Sequence, residues 1–167
     1  MDTPVLRYAD LRDLDELEEL ESVCFQEHRY RPEFLEWILN NPRTATLVWV
    51  EGDAIIGSVM LLLENGQSRV LSVAVHPSRR RGGIGRRLME AAERVARERG
   101  ATVARLEVST SNAPAIALYR EFSERNVEAK RPFVGNGMWV TQVSDPDGYK
   151  LEFESYTDTP EETVFSE

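Results

Sequence analysis

LSVAVHPSRRRGGIGRRLMEAAERVARER, residues 71–99, joins two hydrophobic periodicities across one turn. In LSVAV, Val73 and Val75 alternate with Ser72 and Ala74, the pattern of a half-buried strand. After the turn, Ile84, Leu88, Ala92, Val95 and Arg99 recur at helical spacing. Between them, Gly82, Gly83 and Gly85 let the backbone bend sharply and present its N–H groups above the helix start. A helix N-terminus offers unpaired N–H groups and the positive end of the dipole, so it attracts anions, and Arg79, Arg80, Arg81, Arg86 and Arg87 add charge. The economical ligand is a phosphate or diphosphate. A flexible turn with solvated arginines is the simpler alternative.

Neither common nucleotide fingerprint is present. The stretch lacks G-K-[ST], which disfavours a P-loop, and lacks G-x-G-x-x-G, which disfavours a dinucleotide fold. Arg80-Arg81-Gly82-Gly83-Ile84-Gly85, preceded by Val75-His76-Pro77, instead resembles the [QR]-x-x-G-x-[GA] signature of the GNAT family of N-acetyltransferases. LEVSTSNAPAIALY, Leu106 to Tyr119, is similar to the ribosomal-protein-alanine acetyltransferases of that family. The likeness covers about residues 1–119 and implies an α+β GNAT fold: a mixed, mostly antiparallel sheet flanked by helices. It also implies acetyl-CoA as co-substrate. Arg80, Arg81, Gly82, Gly83, Ile84, Gly85 and Arg86 would hold its diphosphate, Val73, Ala74 and Val75 its pantetheine and acetyl carbonyl, and Asn112 would make a further contact.

The chemistry implied can be weighed against the residues. Moving an acetyl group from a thioester to an amine needs a neutral amine, a stabilised oxyanion and a proton for the departing thiolate. An α-amino group of pKa about 8 needs only a modest base. The resemblance assigns that role to Glu107, and assigns protonation of the sulfur to Tyr119. A phenol of pKa about 10 suits a thiolate leaving group. Taken alone, Tyr119 is equally a packed aromatic beside Ile116 and Leu118, and Glu107 an outward strand residue between Leu106 and Val108.

The 167 residues, 41% hydrophobic, are enough for one ordinary domain with a real core. Net charge is −9, with 29 Asp and Glu against 20 Lys and Arg. That balance argues against general nucleic-acid binding and is compatible with a basic amine or peptide acceptor. Lys130 and Lys150 stand alone among many arginines, as a salt-rich cytoplasm or a GC-rich genome would produce. The single Cys24 makes no intrachain disulfide and reads as a core or near-core residue. MDTPVLRYAD has neither a basic n-region nor an apolar h-region, and no run reaches membrane-spanning length, so a cytoplasmic protein is expected.

Val5 to Tyr8 reads as a strand. Asp10 or Asp13 caps a helix through Leu14, Leu17, Leu20 and Val23, and a second helix runs from Pro32 to Leu39. Glu16, Glu18, Glu19 and Glu21 read as a solvated face, or as an attraction for a basic peptide. Thr46–Glu51, Ala54–Glu64 and Ser68–Val75 form a meander through turns at Gly52-Asp53 and Asn65-Gly66. Gly100 caps the long helix, Val103–Val108 is a further strand, and Ser109 to Pro114 opens another helix.

After Tyr119 the family pattern is lost: the helix lacks the usual Leu-Gly-Phe ending and reads Arg120-Glu121-Phe122-Ser123-Glu124. About residues 117–155 resemble the last part of a vicinal-oxygen-chelate domain of the glyoxalase and bleomycin-resistance superfamily, with Asp145-Pro146-Asp147-Gly148 turning between strands Trp139–Val143 and Tyr149–Glu154. Glu152 falls where that superfamily often places a metal ligand, but His28 and His76 are the only histidines, so no metal is expected. The expected organisation is an acetyltransferase core over 1–122, strands completing or extending its sheet over 123–157, and a loose tail over 158–167. An extra edge strand would suit pairing in a homodimer. Two rival readings are a non-catalytic acyl-CoA-binding or regulatory module, and a glyoxalase-like binding protein that uses the C-terminal segment.

Overall fold

The computed structural model describes residues 3–26, 29–107, 128–129, 133–135, 138–144 and 150–156. Strand β1 (Val5–Tyr8) leads through a capped 3-10 turn into α1 (Leu14–Phe25) and α2 (Pro32–Asn40). The meander follows as β2 (Thr44–Glu51), β3 (Ala54–Glu64) and β4 (Gln67–Val75), then α3 (Ile84–Glu98) and β5 (Val103–Glu107). Four further strands are β6 (Glu128–Ala129), β7 (Phe133–Gly135), β8 (Met138–Ser144) and β9 (Lys150–Tyr156). They join one sheet of order β1-β2-β3-β4-β5-β9-β8-β6, with β7 also on β8. Pairing is antiparallel except where β5 lies parallel to both β4 and β9.

Asp10 accepts from the Arg12 amide and Asp13 from the Asp10 amide, a capping box on the 3-10 turn ahead of α1; Asp13, at the N-cap of α1, makes no side-chain cap on that helix. Alternation along the strands then feeds two cores. Leu47 and Trp49 of β2 and Val59 and Leu61 of β3 meet Ile84, Leu88, Ala92 and Val95 of α3. Val48, Met60 and Ala74 point the other way, to Leu17 and Leu20 of α1 and Leu35 and Ile38 of α2.

The meander β2–β4 is therefore covered on both faces, while β1 is exposed. This corrects the reading of β4: Ser72 and Ala74, on the α1 side, are its buried residues, and Val73 and Val75 are only partly buried against the α3 core. Gly57 sets how closely α3 can approach. A Cβ there would stand 3.0 Å from Leu88 Cδ1, 3.1 Å from Ile84 Cγ2 and 3.2 Å from the Ala74 carbonyl. Arg99 does not extend the apolar seam of α3; its guanidinium donates to the carbonyls of Pro42 and Thr44 and ties the helix end to the start of β2.

Candidate functional site

The candidate site lies on the last residues of β4, past its described pairing with β5. Register with β5 begins at Gln67↔Val103 and ends at Val70↔Leu106, while β4 continues to Val75. Against β3, the partner of Met60 is Ser72 but that of Leu61 is Val70, so Leu71 is the extra residue of a β-bulge. Beyond it the ladder alternates. The His76 amide donates to the Ile56 carbonyl at 2.8 Å, so Ala74 and Ser72 also face β3, and the backbone groups of Val73 and Val75 face away from β3, beyond the described pairing with β5.

Three side chains from the α1–α2 layer and one from the loop grip this segment. The Tyr30 hydroxyl donates to the Leu71 carbonyl at 2.8 Å, and the Ser72 hydroxyl is bonded to Glu21 Oε1. The Cys24 thiol and Arg80 Nε both donate to the Val75 carbonyl, at 3.4 and 3.0 Å. Glu21 is 1% exposed, which corrects its placement on a solvated helix face; burial pushes its carboxyl above the ordinary range, against smaller opposing effects from Ser72 and the Tyr30 backbone. Burial likewise raises the Cys24 thiol, so it is not an activated nucleophile. Glu16 and Glu19 remain exposed and line a groove of about 230 Å³ with Leu20, Val23, Ile55 and His76.

The loop follows immediately. His76 Nδ1 accepts from the Ser78 amide at 3.2 Å and caps the turn Pro77–Arg79. Arg81, at φ +67°, and Gly83, at φ +83°, swing the chain into α3. No side chain caps α3, so its first-turn N–H groups are left facing outward above Gly82 and Gly83, both exposed. The expected arginine cluster is divided. Arg79 donates to Glu51 at 2.9 Å, which holds that carboxyl below its ordinary range, and Arg80 turns back to Val75. Arg87 lies 5.5 Å over the Trp49 ring, while Arg81 is exposed at the tip.

Among the candidate residues, the structure thus brings Val73, Ala74, Val75, Arg80, Arg81, Gly82, Gly83, Ile84, Gly85 and Arg86 into one continuous segment from strand edge to helix start. Glu107 ends β5, one residue past its last pairing with β4. Asn112 and Tyr119 lie outside the described residues. Tyr30, Ser72 and Gly57 were not singled out by sequence, although an isolated glycine inside a strand pattern signals close approach of another element. Among the described residues no group of three or more His, Cys, Asp or Glu side chains is arranged to hold a metal, and no helix is long and apolar enough to cross a membrane.

The described residues thus form a mixed sheet in which β4 runs directly into a glycine-rich helix start. Residues 11–123 match the acetyltransferase (GNAT) family, and the chain belongs to that family. A Bacillus subtilis (strain 168) protein provisionally named as a ribosomal protein bS18-alanine N-acetyltransferase is 28% identical over 142 residues, covering 81% of this chain and 94% of its own length. The Escherichia coli ribosomal-protein-S18-alanine N-acetyltransferase structure superposes with TM-score 0.69 at 18% identity, over 98% of this chain and all of that one. The PaiA N-acetyltransferase of Thermoplasma acidophilum, solved with coenzyme A, gives TM-score 0.63 at 19% identity, over 93% of this chain and 99% of that one.

Proposed function

We propose that this N-acetyltransferase uses acetyl-CoA to acetylate an amine, with a protein N-terminal amino group as the favoured acceptor and the cytoplasm as its place of work. The observation that carries this reading is the continuity of two features: backbone groups of Val73 and Val75 on the edge of β4 turned away from β3, and the uncapped start of α3 at Ile84, nine residues after Val75. The first suits the amide-rich pantetheine arm and a polarised thioester carbonyl; the second suits a diphosphate. A structural neighbour solved in complex with coenzyme A and a relative named for a ribosomal protein acceptor support the same reading.

In the reaction the amine nitrogen bonds to the thioester carbon, the C–S bond breaks, the amine gives up a proton and the thiolate gains one. Donors aimed at the carbonyl oxygen stabilise the charge that develops there. We assign the amine's proton to Glu107, directly or through water, and the thiolate's proton to Tyr119. Asn112 is assigned a coenzyme contact. Residues 1–122 are read as the catalytic core, with 123–157 extending its sheet and 158–167 as a tail. A homodimer built on the extended sheet is the proposed assembly; light scattering that gives a monomer at micromolar protein would exclude it.

The deciding experiment is thiol release from acetyl-CoA over a panel of N-terminal peptides, polyamines and small amines. Turnover with at least one peptide is expected; coenzyme binding without release across the panel would mark a non-catalytic module instead. Tyr119→Phe is expected to lower kcat by more than about tenfold with little change in acetyl-CoA affinity. For Glu107→Gln, the pH–rate profile should lose its acidic limb, and an identical profile would place the base elsewhere.

A further inference from the structure

α1 carries an acidic side chain where a core residue is expected. Glu21 lies one residue after Leu20 and is 1% exposed, in the layer formed by Leu17, Leu35, Met60 and Ala74. One carboxyl oxygen meets the hydroxyl of Ser72, itself 7% exposed; the other, Oε2, has no hydrogen-bond partner among the described residues. A buried carboxyl with an unsatisfied oxygen is costly, and an apolar side chain of similar size would pack there at less cost. The position of this group therefore needs a reason other than stability.

Its location supplies one. Ser72 follows the bulge residue Leu71 and precedes Val73, the first residue beyond the bulge whose backbone faces away from β3. The α1–α2 layer holds both sides of the bulge, with Tyr30 on the Leu71 carbonyl and Glu21 on the Ser72 side chain, while Cys24 reaches the Val75 carbonyl farther along. A bulge is a point where a strand can change twist and slip register, and each such change would re-aim the Val73 and Val75 amides. Resting on the acetyltransferase reading, we propose that Glu21 is a positioning residue: through Ser72 it fixes the bulge of β4, and so fixes the direction in which Val73 and Val75 meet the acyl thioester. The Ser72 hydroxyl donates to Oε1 of a carboxyl that burial holds above its ordinary range. Cys24 is a neighbouring titratable group coupled to Glu21, with the Arg80 guanidinium beside it.

The test compares Glu21→Gln, Glu21→Leu and Ser72→Ala in the full chain. Glutamine keeps a hydrogen-bonding group for Ser72 and is expected to hold kcat within about threefold of wild type. Leucine removes that group without removing bulk. It should fold at least as stably, yet lose about 10- to 100-fold in kcat, the scale of a small misplacement of reacting groups, with acetyl-CoA affinity within about threefold. Ser72→Ala should lose a similar factor, and adding it to Glu21→Leu should cost little more, since the two act as one unit. A second readout needs no turnover: the amide NMR shifts of Val73 and Val75 on titration with coenzyme A, unaltered in Glu21→Gln and altered in Glu21→Leu. Wild-type kcat and wild-type shifts in Glu21→Leu would overturn the positioning role while leaving the acetyltransferase reading intact. Absence of turnover in the wild-type chain, with coenzyme-induced shifts still altered by leucine, would fail the acetyltransferase reading and keep the positioning role.

Discussion

Gly83 adopts φ +83°, a conformation that costs an L side chain about 1–2 kcal/mol, and a Cβ there would touch nothing. Gly82 has no such φ, and its Cβ would make only an ordinary 3.5 Å contact with the Arg79 carbonyl. The fold thus requires glycine at one position and tolerates a side chain at the other, unless a ligand comes close. Gly83→Ala should lower stability by about 1–2 kcal/mol in urea unfolding. Gly82→Ala should leave stability within about 0.5 kcal/mol and weaken acetyl-CoA binding about tenfold or more by calorimetry. Undiminished affinity in Gly82→Ala would move the diphosphate off this side of the loop. Glu21 supports a second prediction at the same scale. Its carboxyl holds its proton to higher pH in the native state than in the unfolded chain, where the ordinary carboxyl pKa is about 4.3. Stability from this group is complete below the unfolded value and is lost as pH rises through the native value. Relative to wild type, Glu21→Gln should therefore gain in urea midpoint as pH rises above about 4.3, and parallel pH curves would mean that the carboxyl titrates as if in water.

At the scale of elements, α3 is positioned by what β3 lacks. Leu88 is fully buried and Ile84 nearly so, and both sit where a Cβ on Gly57 would intrude. Gly57→Ala should cost about 1–3 kcal/mol, as overpacking does, and should weaken acetyl-CoA binding as well, because the displaced first turn of α3 carries the proposed anion site. Loss of stability with wild-type affinity would show that the helix start is held by its loop and not by the sheet. The elements themselves were legible in the chain. Two-residue alternation and tight-turn glycines mark β2 to β4, and the seam from Ile84 to Val95 marks α3, since each reports burial against a single neighbouring surface. What was not legible depends on two surfaces meeting. The bulge at Leu71 leaves no local trace, and Glu21 sits among Glu16, Glu18 and Glu19 in an acidic run, so its burial shows only once β4 is laid against α1. Likewise, five arginines in sequence predict a single cationic cluster, whereas Glu51 and the Val75 carbonyl, brought near by β2 and β4, take Arg79 and Arg80.

For the whole molecule, charge sets the two proposed substrates against each other. The chain carries −9 and its proposed coenzyme is itself an anion, so the overall field repels the ligand while the uncapped helix start and Arg81 attract it over a few ångströms. The same overall field favours a cationic acceptor, and Glu16 and Glu19 on the groove concentrate it close to His76 and the end of β4. Salt reaches the long-range part first, because the screening length falls from about 10 Å at 0.1 M to about 3 Å at 1 M. Raising salt should therefore lower kcat/KM for a peptide with basic residues after its N-terminus several-fold, and leave a neutral peptide of the same length nearly unchanged. Glu19→Lys should reproduce the effect at low salt. Glu19 makes a better probe than Glu16, whose carboxylate also accepts from the Ile55 amide and serves the fold. Equal salt dependence for both peptides would show that acceptor choice is made by shape at the strand edge, with the acidic groove no more than a solvated surface.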